Sequence, residues 1–222
     1  MHPLDNPVWA ALTGPQQRLA ERRGRAARYA PDISPFGGLD DPADPEAWLD
    51  LGELLGPGGG ALVAGPQLTV PPGFDLRLGV PGIQLIGADY RGAADPEAVE
   101  LTAADLPEVL DLVARTRPGP FRDRTVDLGT YLGIRRGGAL VALAGERMRL
   151  PGHTEISAVC TDDTYRGTGL ATRLVGAVAA GIRARGEVPF LHVAETNTGA
   201  IRLYERLGFT PRTRMVFGWA TG

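Results

Sequence analysis

The sequence predicts an α/β (α+β) fold in which a mixed sheet has helices on both faces. Three observations support this prediction. A strand, a glycine-containing turn and an amphipathic helix follow one another directly between Thr154 and Arg185. Two strand-like runs flank Gly137-Gly138, which indicates a β-hairpin. Further strand and helix patterns then alternate from Val188 towards the end of the chain.

The segment from Thr154 to Arg185 organises the rest of the chain. Residues Glu155 to Thr161 are compact, apolar and β-branched, which is typical of a strand. Gly186 is expected to end the helix that follows the glycine turn. The buried face of that helix has an apolar residue every four positions, at Leu170, Leu174, Val178 and Ile182.

Two glycines, Gly167 and Gly169, predict an anion site at the start of this helix. A helix that begins at glycines has unpaired N–H groups at its positive end, and a phosphate can approach its backbone closely. The chain contains no lysine, which excludes a P-loop and Schiff-base chemistry with pyridoxal phosphate. Thr172 stands where a dinucleotide fingerprint has Gly or Ala, which disfavours a dinucleotide-binding site. The remaining alternative is a purely structural turn.

The first 95 residues or so predict a small α+β half. Trp9 and Leu12 precede Pro15, after which a polar, helix-like run extends to Arg28. Asp44-Pro45 has the form of a helix N-cap followed by proline in the first turn. Three short strands separated by Gly and Pro are predicted at Ala61–Ala64, Phe74–Val80 and Ile83–Ile86. A solvated helix face or a docking surface explains the clustered arginines, which are Arg18, Arg22, Arg23, Arg25 and Arg28.

The second half follows a linker predicted at Asp89–Ala98. It begins with a strand at Val99–Leu101 and a helix that Thr102 caps and Arg117-Pro118 ends. The next loop is rich in arginine, with Arg115, Arg117, Arg122 and Arg124. A rigid loop of this kind could bind a carboxylate of an anionic acceptor bidentately, and ordinary surface charge is the alternative.

The remaining elements complete the predicted sheet. They are a hairpin of Thr130–Arg136 and Ala139–Leu150, a strand at Val188–Val193, a helix capped by Asn197 or Thr198, and a last strand at Arg214–Trp219.

The composition is that of a globular enzyme, with 43% hydrophobic and 22% charged residues. A net charge of −3 predicts no general attraction to nucleic acid or anionic membranes. The first residues lack the features of a secretory signal and no run reaches the length of a membrane span, so the cytoplasm is the expected location. The single Cys160 excludes an internal disulfide, and three scattered histidines predict no metal site.

Two motifs resemble those of the GNAT acetyltransferase superfamily. Arg166-Gly167-Thr168-Gly169-Leu170-Ala171 resembles its R/Q-x-x-G-x-G/A motif, and the stretch from Asn197 to Phe209 resembles N-x-x-A-x-x-x-Y-x-x-x-G-F. The resemblance implies a GNAT domain at 96–222, with a GNAT-like mixed, mostly antiparallel sheet flanked by helices. It is preceded by the N-terminal half at 1–95, for which a degenerate GNAT-like copy is one interpretation. An unlike half before a GNAT half is also similar to glycine N-acyltransferase-like proteins, which leaves longer acyl donors and amino-acid acceptors open.

This resemblance implies direct acyl transfer from acetyl-CoA, as cosubstrate, to a primary amine, without a metal. The backbone amides of a bulged strand would hold the pantetheine and polarise the thioester, and the amides of the glycine turn would hold the pyrophosphate. Asn197 would contact the cofactor, although a helix N-cap explains it equally well. The residues expected at the cofactor are Val159, Cys160, Thr161, Arg166, Gly167, Thr168, Gly169, Leu170, Ala171, Thr172, Asn197 and Tyr204.

The resemblance also implies two catalytic residues. Tyr204 matches the tyrosine that protonates the departing thiolate, and its alternative role is core packing. Glu155 matches a glutamate base that acts through water, with an ordinary strand residue as the alternative and His192 as a second candidate for the base. Cys160 is not expected to be a nucleophile, because no partner for it is evident in the sequence and the family forms no acyl-enzyme.

The predicted function is therefore an acyl-CoA-dependent N-acetyltransferase whose acceptor is an amino acid or another small amine. A non-catalytic acyl-CoA-binding regulatory module is the alternative, because it would keep the glycine turn without a catalytic acid or base. Recognition of RNA through the arginines between Arg18 and Arg28 is a third hypothesis, and no nucleic-acid or membrane partner is favoured. The sequence leaves open whether the protein is a homodimer.

Overall fold

The computed structural model describes residues 2–79 and 81–222 of the chain. Within these residues the strands are β1 (Ala20–Arg23), β2 (Ala26–Tyr29), β3 (Gly37–Leu39), β4 (Gly60–Gly65), β5 (Asp75–Leu78), β6 (Gly82–Ile86), β7 (Val99–Glu100), β8 (Tyr131–Arg136), β9 (Ala139–Leu150), β10 (His153–Thr161), β11 (Val188–Ala194) and β12 (Thr210–Thr221). The helices are α1 (Pro7–Leu12), α2 (Pro45–Leu55), α3 (Leu106–Thr116), α4 (Leu170–Ala184) and α5 (Thr198–Arg206).

One large sheet forms the centre of the molecule, and the predicted fold class is confirmed. Its described strands follow the order β4-β12-β6-β11-β10-β9-β8-β7, with β5 paired to β12. The β10–β11 pair is parallel, and the other strand pairs of this sheet are antiparallel. The hairpin turn is the predicted one, since Gly137 and Gly138 have φ of 58° and 87° between β8 and β9.

Alternate residues of β11 point to opposite faces of the sheet and define two layers. Leu191 and Val193 pack with α4 and with Tyr204 of α5. Phe190 points the other way, towards α1 and Tyr29 of β2. On that second face α3 packs farther along the sheet, through Val109 and Leu112.

Helix α4 forms where its four-residue apolar repeat predicts. The predicted residues Leu170, Leu174, Val178 and Ile182 are all buried. Gly186 follows the helix with φ of 76°, a conformation that glycine adopts without steric cost. The N-cap of α2 is also as expected, because the side chain of Asp44 accepts a hydrogen bond from the amide of Glu46 at 2.9 Å.

The helix-like run predicted up to Arg28 is wrong. Helix α1 ends at Leu12, and the arginine-rich segment is instead the β1–β2 hairpin of a three-stranded sheet. Gly24, with φ of 45°, makes the turn of this hairpin. Strand β2 then buries Ala26, Ala27 and Tyr29, whose burial against the protein interior outweighs the local helical tendency of the neighbouring arginines.

The N-terminal region takes part in the large sheet. Strand β6 lies between β11 and β12, and β4 pairs with the outer side of β12. The segment predicted as a linker is packed against α4, where Gly176 accepts a hydrogen bond from the amide of Ala93 at 3.1 Å. Arg173 on the same helix pairs with Asp95 at 2.6 Å. The division into domains at 1–95 and 96–222 stays a prediction.

Two shorter predictions also differ in detail. Strand β7 covers only Val99–Glu100, and the strand predicted at Phe74–Val80 is β5, with Val80 outside the described residues.

None of the described helices is both long and apolar enough to cross a membrane. Across 2–79 and 81–222, no group of three or more His, Cys, Asp or Glu side chains is arranged to hold a metal ion.

Candidate active site

A cleft of about 870 Å³ opens where β10 and β11 separate. The two strands pair only from His153↔Val188 to Glu155↔Phe190, and beyond that point they diverge. The cleft passes between them, because its lining includes Val193 and Tyr204 from the α4 face and Arg147 and His192 from the opposite face. It can therefore admit one ligand from each face of the sheet.

Strand β10 bulges at the wall of this cleft. Its register with β9 shifts between Ser157 and Cys160, and Ala158 has φ of 54°, a strained value for a residue with a side chain. Val159, Cys160 and Thr161 follow the bulge and line the cleft. The bulge that the family resemblance implies is thus present. Pairing with β9 resumes at Cys160↔Leu143 and Thr161↔Ala142, whereas the edge of β10 that faces β11 has no described pairing beyond Glu155.

The glycine turn lies at one end of the cleft. Gly167 and Gly169 have φ of 78° and 84°, which explains why glycine occupies both positions. The first backbone bond of α4 runs from the amide of Arg173 to the carbonyl of Gly169 at 3.1 Å. Among the described residues, the preceding amides have no hydrogen-bond acceptor, and they belong to Leu170, Ala171 and Thr172. Three free amides at a helix start are a suitable site for a phosphate.

The expected cofactor residues line this cleft with one exception. Thr168 is not part of the lining, and its hydroxyl donates a hydrogen bond to the carbonyl of Tyr165 at 2.6 Å. Arg166 lines the cleft and pairs with Asp163 at 2.7 Å. Asn197 also lines it, and its Oδ1 accepts a hydrogen bond from the amide of Ala200 at 3.1 Å, so the N-cap is formed. The Nδ2 group of Asn197 makes no bond within the described ranges.

Tyr204 faces the cleft from α5. Its side chain is buried, and burial raises its pKa to about 12, so its phenol is protonated at neutral pH. The ring packs edge-on against Phe209 at a centroid distance of 6.0 Å. No hydrogen bond to the hydroxyl is formed within 2–79 and 81–222, so this O–H is free to donate to a ligand.

Glu155 lies beneath the cleft and does not line it. The residue is fully buried, and its two oxygens accept bonds from Nε and Nη2 of Arg147 at 2.8 and 2.5 Å. Oε1 also lies 2.7 Å from Nδ1 of His192. Burial alone would raise the pKa of this carboxyl, but the charge and hydrogen bonds of Arg147, with His192, hold it well below the usual range. Glu155 is therefore a carboxylate whose oxygens are already engaged.

His192 links Glu155 to the cleft, and its neighbours determine which ring nitrogen bears the proton. Oε1 of Gln84 accepts a bond from Arg212 at 3.0 Å, and Nε2 of Gln84 donates to the carbonyl of Leu4 at 2.9 Å. The Gln84 amide nitrogen is thus the group that faces Nε2 of His192 at 3.0 Å. We assign Nε2 of His192 as an acceptor and its Nδ1–H as the donor to Glu155.

Arg147 and Gln84 are site residues that were not predicted from the sequence. Arg147 lines the cleft from β9, and Gln84 comes from β6, a strand of the N-terminal half. A signal for Arg147 was present, because it is one of the charged residues in an otherwise apolar strand. Nothing local marks Gln84, whose importance arises from the insertion of β6 beside β11.

The arginine-rich loop contributes less to the cleft than its composition indicated. Arg115 pairs with Asp111 at 3.0 Å and also with Asp162, and Arg124 is paired with two aspartates as well. Arg117, which ends α3 with φ of 48°, is the loop arginine that lines the cleft. The N-terminal arginines between Arg18 and Arg28 do not line it.

Comparisons with known proteins agree with this geometry. A family model described as FR47-like protein matches residues 131–217. A crystal structure from Novosphingobium aromaticivorans, assigned to the GNAT family of acetyltransferases, is 41% identical, covers 100% of this chain and 99% of that chain, and superposes with a TM-score of 0.90.

Two curated relatives match parts of the chain. A mycothiol acetyltransferase of Thermobispora bispora is 33% identical over 156 residues, which is 65% of this chain and 49% of that protein. The N-alpha-acetyltransferase RimI of Mycobacterium tuberculosis is 33% identical over 130 residues, which is 52% of this chain and 81% of that protein. The chain thus spans about half the length of the mycothiol acetyltransferases that it matches.

Proposed function

Since this chain belongs to the GNAT family of acetyltransferases, we propose that it transfers the acetyl group of acetyl-CoA directly to a primary amine within a ternary complex. The acceptor is an amino acid or another small amine. The observation that supports this proposal most strongly is the cleft between β10 and β11, in which the bulged strand, the free helix amides and Tyr204 converge.

The α4 side of the cleft suits the donor. The free amides of Leu170, Ala171 and Thr172 would bind the pyrophosphate, with Arg166 nearby as a cation. The amides after the bulge, at Val159 to Thr161, would bind the pantetheine and donate to the carbonyl oxygen of the thioester. This arrangement needs only main-chain donors, so it does not require particular side chains at these positions.

The reaction needs one proton removed and one supplied. The amine nitrogen attacks the thioester carbon, a C–N bond forms and the C–S bond breaks. The amine loses a proton and the departing thiolate gains one. Tyr204 supplies the second proton, because its free hydroxyl faces the cleft and burial keeps its phenol protonated.

The group that accepts the proton from the amine is harder to assign than the group that protonates the thiolate. Both oxygens of Glu155 are engaged by Arg147 and His192, so the carboxylate can reach the cleft only through His192 or a water beside it. An α-amino group, with a pKa of about 8, is more often unprotonated at neutral pH than a lysine-type amine with a pKa of about 10.4, so it depends less on a general base. The similarity to an N-alpha-acetyltransferase supports an α-amino acceptor.

The direct test is release of CoA thiol from acetyl-CoA by the purified protein in the presence of a panel of α-amines. We expect amine-dependent thiol release, and a loss of about a hundredfold or more in the Tyr204→Phe variant with acetyl-CoA binding retained. Binding of acetyl-CoA without turnover on any amine would contradict the enzyme and support a non-catalytic acyl-CoA-binding regulatory module. An absence of binding would contradict both.

A further inference from the structure

Arg147 occupies the side of the cleft opposite α4, where the acceptor would enter. Its side chain is 11% exposed and lines the cleft. Nε and Nη2 are both committed to Glu155, whereas Nη1 has no hydrogen-bond partner among residues 2–79 and 81–222. The guanidinium lies 4.9 Å above the ring of Phe36, which fixes its plane. Arg147 therefore has an oriented and unused N–H donor group at the cleft.

The charge of this donor is already compensated. Glu155 is ionised and holds the guanidinium through two bonds, so the pair has no net charge. His192 beside it is neutral in the hydrogen-bonding pattern that Gln84 imposes. Arg117 stands on an exposed loop at another wall of the cleft, where water screens its charge.

The surrounding wall is apolar. Phe36 and Phe217 face each other edge to ring at 6.4 Å, and Leu62 joins them in lining the same part of the cleft. Phe36 and Leu62 come from the N-terminal half, next to each other through a parallel bridge. Among the residues that the structure describes, this part of the cleft therefore combines an apolar wall with the Nη1 donor of Arg147, whose charge is compensated by Glu155.

We propose that Arg147 is a specificity-determining residue that selects amines adjacent to a neutral carbonyl, such as an α-amino amide with an apolar side chain, over free amino acids. This inference rests on the proposed acetyl transfer, and within the proposed range of acceptors it favours amides of amino acids over the free amino acids. A neutral carbonyl oxygen accepts a bond from Nη1 at little desolvation cost. A carboxylate loses its hydration on entering the cleft and meets no net positive charge there, because Glu155 has neutralised Arg147.

Three acceptors of matched shape test this proposal: leucinamide, leucine and 3-methylbutylamine, which lacks the carbonyl. Rates of thiol release are expressed per unprotonated amine, because the three amines differ in pKa. For the unaltered protein we expect kcat/KM to be roughly tenfold or more higher for leucinamide than for either other amine, the effect of one hydrogen bond to a charged group.

The variant that removes the donor is Arg147→Met/Glu155→Gln, because Arg147→Met alone would leave a buried carboxylate without a partner. The amide introduced by Glu155→Gln keeps an oxygen that can accept the Nδ1–H of His192. We expect the ratio of leucinamide to 3-methylbutylamine to fall close to one. Any general effect of the double change on the chemistry acts on both amines and cancels in that ratio. Arg117→Ala is expected to leave the ratio unchanged.

Two results would overturn this inference without contradicting the proposed acetyl transfer. One is equal use of leucinamide and 3-methylbutylamine by the unaltered protein. The other is a preference for leucine that Arg117→Ala abolishes, since the acceptor would then be anionic and recognised by the loop. Lack of turnover with all three amines, despite binding of acetyl-CoA, would instead overturn the proposed function and this inference with it.

Discussion

The Nδ1 atom of His192 lies 2.7 Å from Oε1 of Glu155, on the face of the sheet opposite α4. Because Gln84 donates to the other nitrogen of the ring, His192 is neutral and donates its Nδ1–H to the carboxylate. The two residues considered separately as bases in the sequence therefore form one hydrogen-bonded unit. Arg147 forms an ion pair with Glu155 and so keeps the carboxyl group of this unit ionised.

The Glu155 carboxyl predicts a specific loss of stability in acid. Its pKa is lowered in the folded protein, so the stability it contributes is complete above the unfolded pKa of about 4.5 and is lost as pH falls towards about 2. We expect Glu155→Gln to reduce the free energy of unfolding most above pH 5, and the difference from the unaltered protein to shrink below pH 4.5. Urea unfolding across this range measures it.

Glu205→Gln is the control for this experiment, because Glu205 is exposed on α5 and forms no ion pair with the described residues. Its stability curve should follow that of the unaltered protein. A difference for Glu155→Gln that is the same at pH 3 and at pH 7 would show that the charge of Glu155 does not stabilise the fold.

The elements that the sequence predicted well are those specified by neighbouring residues. The four-residue apolar repeat places α4, and Gly137-Gly138 places the β8–β9 turn. The β1–β2 hairpin was mistaken for a helix because its short strands depend on burial of Ala26 and Tyr29 against distant parts of the chain. The position of β6 between β11 and β12 likewise depends on pairing across the whole sequence, which local patterns do not encode.

The glycine turn provides a prediction for donor binding. We expect Gly169→Ala to cost roughly 1–2 kcal/mol of stability, because a side chain is strained at φ of 84°, and to weaken stabilisation by acetyl-CoA. Gly181→Ala in the same helix is the matched control. It has open space around it and should stabilise the protein by about 0.5–1 kcal/mol without altering the effect of acetyl-CoA. Equal responses to acetyl-CoA in both variants would argue against the turn as a phosphate site.

Tyr204 provides a kinetic prediction. Because burial raises its pKa to about 12, the Tyr204 phenol remains protonated throughout the assay range, and no loss of kcat from its ionisation is expected below about pH 11. Tyr204→Phe should lower kcat strongly at every pH while the KM for acetyl-CoA changes little. Initial rates of thiol release from pH 6 to 10 test this. An unchanged kcat would assign the tyrosine to packing against Phe209.

Packing of the predicted linker on α4 can be tested with a pair of glycines. A Cβ at Gly92, which has φ of 68°, would clash with the carbonyl oxygen of Gly176 in α4. A Cβ at Gly73, with φ of 95°, would meet nothing within 4 Å. We expect Gly92→Ala to destabilise the protein by roughly 3 kcal/mol and Gly73→Ala by only about 1 kcal/mol, as thermal unfolding would show. Equal costs would mean that the linker is not held against the helix.

The sequence indicated the residues of the candidate cleft that belong to a local motif, which are those of the glycine turn, Asn197 and Tyr204. Two glycines at the start of a helix predict free amides, and the structure has free amides there, at Leu170, Ala171 and Thr172. Binding of an anion by these amides stays a proposal.

The environment of Glu155 could not be predicted, because its partners Arg147 and His192 lie on the adjacent strands β9 and β11. Whether a carboxylate is an exposed base or half of a buried ion pair is decided by those neighbours and not by its own position in the motif.

The most direct test of the central claim is the thermal stability of the unaltered protein with and without acetyl-CoA, with NADH and ATP as controls. At a concentration of one hundred times the dissociation constant, a ligand that binds only the folded state adds about 2.7 kcal/mol, which raises the melting temperature by roughly 5–10 °C for a chain of this size. We predict that acetyl-CoA alone produces this increase. No increase with acetyl-CoA, or an equal one with NADH or ATP, would contradict the assignment of the cleft to the acetyl donor.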